Sequence, residues 1–156
     1  MNGELFQKII QKLDENKIVY QLYEHEPVYT SEEAAKIRNT GLKAGAKAMV
    51  CMADKKPVLL VISAAYKIDS KKFKASFRVR DLRFTTPEEV EEITNVTIGA
   101  VPPFGSLMGL VTYMDQTLAE NEQIAFNAGL HTKSVKMNYE DFIKIEKPTI
   151  GDFSQQ

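Results

Sequence analysis

The sequence predicts a mixed α/β (α+β) fold, with many short strands curling into a barrel-like sheet flanked by helices. Three observations carry that expectation. Leu5, Phe6, Ile9, Ile10 and Leu13 recur at helical spacing near the N-terminus. Two apolar runs, Ala46 to Ala53 and Val58 to Ala64, are joined by Asp54-Lys55-Lys56-Pro57 and read as a hairpin. Helix-start signals at Thr30, Asp69 and Thr86 recur between further short apolar runs, so helices and strands are interleaved.

Taken in order, residues 3–16 form an amphipathic helix that Asn16 and Lys17 end. Ile18 to Glu24 alternates loosely and suits a short strand, after which His25-Glu26-Pro27 forces an extended turn. Thr30 with Glu33 makes a capping box for a helix through Ala34, Ala35 and Ile37, which Asn39-Thr40-Gly41 terminates. Beyond the hairpin, Asp69 caps a short helix over Ser70 to Ala75, and Leu82 to Thr85 is a brief strand. Thr86-Pro87-Glu88-Glu89 starts another helix, with proline in its first turn. Thr97 to Gly105 is a structured loop, and Gly109 to Met114, Gln123 to Asn127 and Ser134 to Met137 are three more strands. Asn138 with Asp141 caps a last helix over Tyr139 to Ile145, and residues from about 147 to 156 are expected as a loose tail. No repeat or linker interrupts the 156 residues, so one domain over 1–156 is expected.

A composition of 44% hydrophobic and 26% charged residues is that of a globular protein. The one cysteine, Cys51, excludes an internal disulfide and fits a reducing compartment. Glu4, Gln7, Lys8, Gln11 and Lys12 break up the N-terminal apolar residues, so no signal-peptide core is present. The longest apolar stretch, Pro57 to Tyr66, is about half of a membrane span. A cytoplasmic protein without a membrane partner is therefore expected.

Net charge is −1, but its distribution is uneven. Between Tyr66 and Arg83 stand seven basic residues (Lys67, Lys71, Lys72, Lys74, Arg78, Arg80 and Arg83) against Asp69 and Asp81. The acidic run Glu88, Glu89, Glu91 and Glu92 follows. This reads either as a solvated face and an acidic helix start, or as a local phosphate-binding face.

Three segments can carry chemistry. Lys47 interrupts the apolar run GAKAMVCMA, so it either points outward at a strand end or anchors an anion or developing oxyanion at a pocket mouth. The loop from Gly99 through Ala100, Val101, Pro102 and Pro103 to Gly105 combines close backbone approach with proline stiffness. It suits presenting main-chain groups to a small amino acid, or serves only as a tight connection. In Asn127-Ala128-Gly129-Leu130-His131-Thr132, His131 can orient a water or a substrate amine near neutral pH, or sit as a hydrogen-bonded residue beside a turn.

Two histidines and one cysteine without ligand spacing argue against a metal site, and no cofactor fingerprint of the Walker or GxGxxG type occurs. No Gly-x-Ser-x-Gly elbow occurs, and Cys51 lies in an apolar strand pattern that makes its thiol inert. Any reaction here is expected to run without a covalent nucleophile, a metal or a cofactor.

Together these segments resemble the YbaK/EbsC family, which includes the ProX proteins and the editing insertion of bacterial prolyl-tRNA synthetase. The matching stretches are HEPVYTSEEAA, GAKAMV, VLLVISAAYKIDSKKF, the GxxxP element Gly99 to Pro103 and DQTLAENEQIAFNAGLHTKSVKMNYEDF. The resemblance runs from about residue 5 to 146. It implies a mixed α/β barrel-like fold and deacylation, in trans, of mischarged tRNA for proline or a related acceptor. It also implies that Lys47 holds the acceptor end and is required for hydrolysis, and that the Gly99–Pro103 backbone positions the aminoacyl group. His131 falls where some members have a functional histidine, Asn127 and Gly129 belong to the same pocket-lining turn, and Tyr29 matches a bulky position near the pocket. Ala48 departs from the Thr or Asn that often follows the family lysine, which leaves the subfamily open.

The expected function is that of a trans-acting aminoacyl-tRNA deacylase; alanine, cysteine, serine and threonine all fit as the amino acid removed. The basic stretch, through Lys67, Lys71, Lys72 and Arg78, would guide the acceptor stem. A synthetase is a further conceivable partner, and DNA is not. The competing readings are a non-catalytic module that binds tRNA or a synthetase, and a binder of free amino acids or nucleotides.

Overall fold

The computed structural model describes residues 3–155. Its elements run α1 (Glu4–Glu15), β1 (Tyr20–Glu24), α2 (Ser31–Arg38), β2 (Ala46–Ala53), β3 (Lys56–Ser63), β4 (Lys67–Ile68) and α3 (Ser70–Phe77). The chain continues through β5 (Leu82–Phe84), α4 (Pro87–Thr94), β6 (Val111–Asp115), β7 (Gln123–Leu130), β8 (Lys133–Asn138), α5 (Tyr139–Glu146), β9 (Thr149–Gly151) and β10 (Ser154–Gln155). The mixed α/β class expected from the sequence is the one observed.

The strands form a five-stranded sheet in the order β5-β2-β3-β6-β9, a three-stranded antiparallel sheet β1-β8-β7, and a small β10-β4 pair. In the larger sheet β2 pairs antiparallel with β3 and β5, whereas β3–β6 and β6–β9 are parallel. The barrel-like curl comes down to one join between the two larger sheets, a parallel bridge between Gly45 and Ala125. That join sets the start of β2 against β7.

The run Val58–Ile62 is buried on both faces of its sheet, as a continuous apolar strand must be. Alternation sends Leu59 and Val61 to one side and Val58, Leu60 and Ile62 to the other. The first side meets Phe6, Ile9 and Leu13 of α1, Phe142 of α5, and Ile124, Phe126, Val135 and Met137 of the smaller sheet in one core. The second side meets Cys51, Ile68, Phe73 and Phe153 in a separate aromatic cluster beneath α3.

The capping box expected at Thr30 forms, and the helix start expected at Thr86 proves to be a second one. The Thr30 hydroxyl accepts from Glu33 N and Thr86 from Glu89 N, each glutamate accepting in return from its cap residue's backbone N–H. Asp69 accepts from Lys72 N at 3.2 Å. No helix among the described residues is long and apolar enough to cross a membrane.

Three expectations need correction. The β2–β3 connection is a two-residue turn, Asp54-Lys55, with φ of 47° and 69°; Lys56 and Pro57 already pair in the strand. Asp54 tolerates that left-handed backbone, and its carboxylate accepts from Arg80 N and Asp81 N. Asn138 makes no capping bond to α5; Tyr139 N donates instead to Glu122 O at 2.9 Å. The C-terminal segment is not a loose tail, apart from Gln156, which lies outside the described residues. β9 runs along β6, β10 along β4, and fully buried Phe153 packs edge-on against Phe73. Its backbone N–H donates to Asp115, which no sequence pattern announces, at 2.7 Å.

Candidate active site

Where β2 begins, beside the join between the sheets, a cleft of about 130 Å³ opens. One wall is a face of α2, Ala34, Ala35 and Arg38, preceded by Val28, Tyr29 and Thr30. Spacings of three and four residues place that set on one side of the helix. The opposite wall is Gly45 to Ala48 with Ala64, and Gly99, Val101 and Asn127 close the end. Lys47 and Arg38 are the charged members of the lining, and no acidic residue belongs to it.

Asn127 organises the closed end. Its Nδ2 donates to the Gly99 carbonyl, while its Oδ1 accepts from Arg38 Nη2 at 2.8 Å. The Ser134 hydroxyl lies 3.5 Å from Asn127 Oδ1 and 2.9 Å from His25 Nε2. His25 Nδ1 faces the Glu26 carbonyl at 2.8 Å, and a carbonyl only accepts. Nδ1 therefore donates to that carbonyl, and in the neutral ring Nε2 accepts a hydrogen bond from the Ser134 hydroxyl. Arg38 is left as the donor that holds Asn127 Oδ1.

Gly99 has φ of +90°, and a Cβ built there would stand 3.0 Å from Cε1 of the His131 ring. The backbone angle favours glycine, and any side chain there would press on the His131 ring. His131 donates from Nδ1 to the Val28 carbonyl at 3.1 Å, its Nε2 is buried without a partner, and its ring lies 4.8 Å from that of Tyr29. His131 thus stands behind Gly99 and Tyr29, outside the cleft lining. Tyr29, 74% exposed, forms the lip.

The two cations differ in setting. Lys47 is half-buried and has no hydrogen bond or ion pair among the described residues. It stands opposite Ile62 in the hairpin register, which directs it to the sheet face that α3 covers. Arg38 is only 5% exposed, and among the described residues its single hydrogen bond is the one to Asn127. Among the described residues Nε is buried and unpartnered, and no carboxylate pairs with the guanidinium. Burial pushes its pKa down to about 10, still well above neutrality, so it remains a cation.

Of the other residues singled out in the sequence, Ala100, Pro102 and Pro103 are buried behind the loop rather than on the cleft wall. Ala100 O accepts from Gly129 N at 3.1 Å, which ties the loop to the β7 bulge. Lys67, Lys71, Lys72 and Arg78 are exposed on β4 and α3, above the sheet face to which Lys47 points. Lys72 is partly engaged, with Asp152 at 3.5 Å and Ser154 O at 3.0 Å. Cys51 is fully buried, and desolvation pushes its thiol up to about 12, which leaves no thiolate at neutral pH. No cluster of three metal-ligating side chains occurs among the described residues.

Sequence reading missed Arg38. The available signal was its phase: it follows Ala34 by four residues, on the small-residue stripe of a helix whose other charges face outward. Ser134 and His25 carried no comparable signal, because only the pairing of β1 with β8 brings them together.

The chain belongs to the aminoacyl-tRNA editing domain family, whose model matches residues 25–145. It is 32% identical over 152 residues to the multifunctional Ser/Thr-tRNA deacylase ProXp-y of Escherichia coli K12, covering 94% of this chain and 91% of that protein. It is equally 32% identical over 159 residues to the prolyl-tRNA editing protein ProX of Acetoanaerobium sticklandii, covering 98% and 97%. A crystal structure of a proposed trans-editing enzyme for prolyl-tRNA synthetase superposes over the full length of both chains, with a TM-score of 0.85 at 21% identity. That likeness shows the fold.

Proposed function

We propose that this protein is a trans-acting aminoacyl-tRNA deacylase that hydrolyses the ester of a small amino acid mischarged onto tRNA for proline or a related acceptor. One observation carries the reading: a cleft with two cations and no acid, closed by a backbone loop, in a chain whose full-length relatives are named tRNA deacylase and tRNA editing protein.

An aminoacyl ester is already activated, so the site needs to hold it and stabilise negative charge rather than supply a nucleophile. The inert Cys51 thiol agrees with that division of labour. Lys47, without a partner among the described residues, is suited to the phosphate of the acceptor terminus or to the tetrahedral oxyanion. Water adds to the ester carbonyl, and the ribose oxygen leaves as a hydroxyl. The Gly99 loop, anchored through its carbonyl by Asn127, sets where the carbonyl carbon stands. His131 acts as a positioning residue by supporting Gly99 and Tyr29 from behind. Larger amino acids are excluded by clash with the small-residue walls, a stronger filter than attraction to one methylene, worth about 1–3 kcal/mol.

The acceptor stem would lie along Lys67, Lys71, Lys72 and Arg78, which share the Lys47 face of the sheet. Binding should then weaken with added salt. We place the reaction in the cytoplasm, where tRNA is charged, as one domain that acts with or without a synthetase.

The test is deacylation of a panel of mischarged tRNAs by wild type and Lys47→Ala. Turnover of a small-amino-acid ester that vanishes in Lys47→Ala is expected. Tight tRNA binding with no turnover of any ester would make the protein a binding module instead.

A further inference from the structure

We propose that Arg38 is the residue that selects the amino acid, by donating to an oxygen on the substrate side chain, so that the preferred esters are those of serine and threonine rather than alanine. The inference rests on the deacylase reading and deepens it.

The argument begins with an imbalance. A buried guanidinium carries five N–H donors, and among the described residues this one spends a single donor on Asn127 while Nε has no partner. Burying a cation without an anion is costly, so an unpaired buried guanidinium calls for an explanation, and beside a cleft a bound ligand supplies one. Replacing Arg38 with an aliphatic residue would remove that cost, since alanines already line the same helix face.

Position decides which part of the substrate Arg38 meets. The phosphate must remain continuous with the tRNA chain, and half-buried Lys47 offers it an unpaired ammonium. Arg38 is more deeply buried, and a single side chain, Asn127, links it to the carbonyl of Gly99. If that loop holds the ester, the next group inward is the amino-acid side chain. Asn127 Oδ1 is occupied by Arg38, so the guanidinium supplies the donors left over there. A hydroxyl oxygen accepts from it, and a methyl group leaves it unpaired. Sites built to bond a hydroxyl reject the analogue lacking it far more strongly than apolar pockets sort by size.

The experiment compares seryl, threonyl and alanyl esters on one tRNA, with wild type, Arg38→Met and Arg38→Lys, folding being checked by circular dichroism. Wild type should favour the seryl over the alanyl ester by at least about tenfold in kcat/KM. Arg38→Met should erase that ratio mainly by slowing the seryl ester, and Arg38→Lys should restore part of it. Equal rates on seryl and alanyl esters in wild type, which needs no variant, would overturn the proposal. So would an equal loss on every ester in a folded Arg38→Met, which would assign Arg38 to the nucleotide. Binding of 3′-seryl-amido and 3′-alanyl-amido adenosine, measured by calorimetry, separates the two layers. Tighter seryl binding that depends on Arg38, without turnover of any ester, would keep the selection and defeat the deacylase reading. No turnover and no difference in binding would defeat both.

Discussion

Two buried charges set the two ends of this molecule apart. Glu146, at the end of α5, accepts from Ser106 N at 2.9 Å, Ser106 Oγ at 2.7 Å, Thr112 Oγ1 at 3.4 Å and Lys12 at 3.3 Å. Arg38, at the end of α2, has one hydrogen bond and an unpartnered Nε among the described residues. Both side chains are removed from water, yet one is saturated with partners and the other is not. A saturated buried charge joins elements of structure, here α1, α5, β6 and the turn after Phe104. An unsaturated one beside a cleft is shaped for something the chain does not contain.

The contrast can be broken most forcefully at Glu146. Glu146→Ala should cost about 3 kcal/mol, because Lys12, Ser106 and Thr112 lose their common acceptor. Urea denaturation would measure the loss, and deacylation per folded molecule should be unchanged. A variant as stable as wild type would dissolve the comparison. Arg38→Met should behave in the opposite way, with stability within about 1 kcal/mol of wild type, or raised, while selectivity for the ester collapses. A loss as large as that of Glu146→Ala would make Arg38 a second structural charge.

A charge pair at the surface, partly open to solvent, supplies the reference for both. Glu89, held by Arg83 at 2.8 and 2.9 Å and by Thr86 N, titrates at about 2 in the folded protein against 4.5 unperturbed. Its folded pKa is depressed, so its contribution is complete above about pH 4.5 and disappears as pH falls through about 2. Glu89→Gln should lower stability slightly above about pH 4.5 and flatten the acid limb of the stability curve. This is the smallest of the expected effects, since the pair is solvent-screened and weakens further with salt. An unchanged acid limb would mean the pair contributes nothing.

Much of the architecture was legible before any coordinates. The Thr30 capping box, the helix start at Thr86, the Asp69 cap, the helical stripe of α1 and the apolar run of β3 are local patterns, and local patterns survive in one dimension. The errors fell where a distant partner decides the outcome. Asn138 has the side chain of a cap, but the carbonyl of Glu122 occupies the helix start. The residues after Lys147 resemble a tail until Asp115 takes the Phe153 N–H and the aromatic rings close around it.

The cleft divides along the same line. Lys47 stood out because an ammonium inside an apolar strand needs an explanation, and Gly99 because glycine and proline mark a stiff loop. Arg38 did not stand out, since an arginine near a helix C-terminus is ordinary there. By itself the sequence determined the helices with their caps, the buried hairpin and the chemistry that Lys47 and the Gly99 loop can offer, because each depends on residues within one turn or one strand. Only the tertiary structure decided that Arg38 loses its water without gaining a counter-ion, and that Asn127, 89 residues away, holds it against the loop. Burial and pairing are properties of the packed chain, and no spacing along the sequence encodes them.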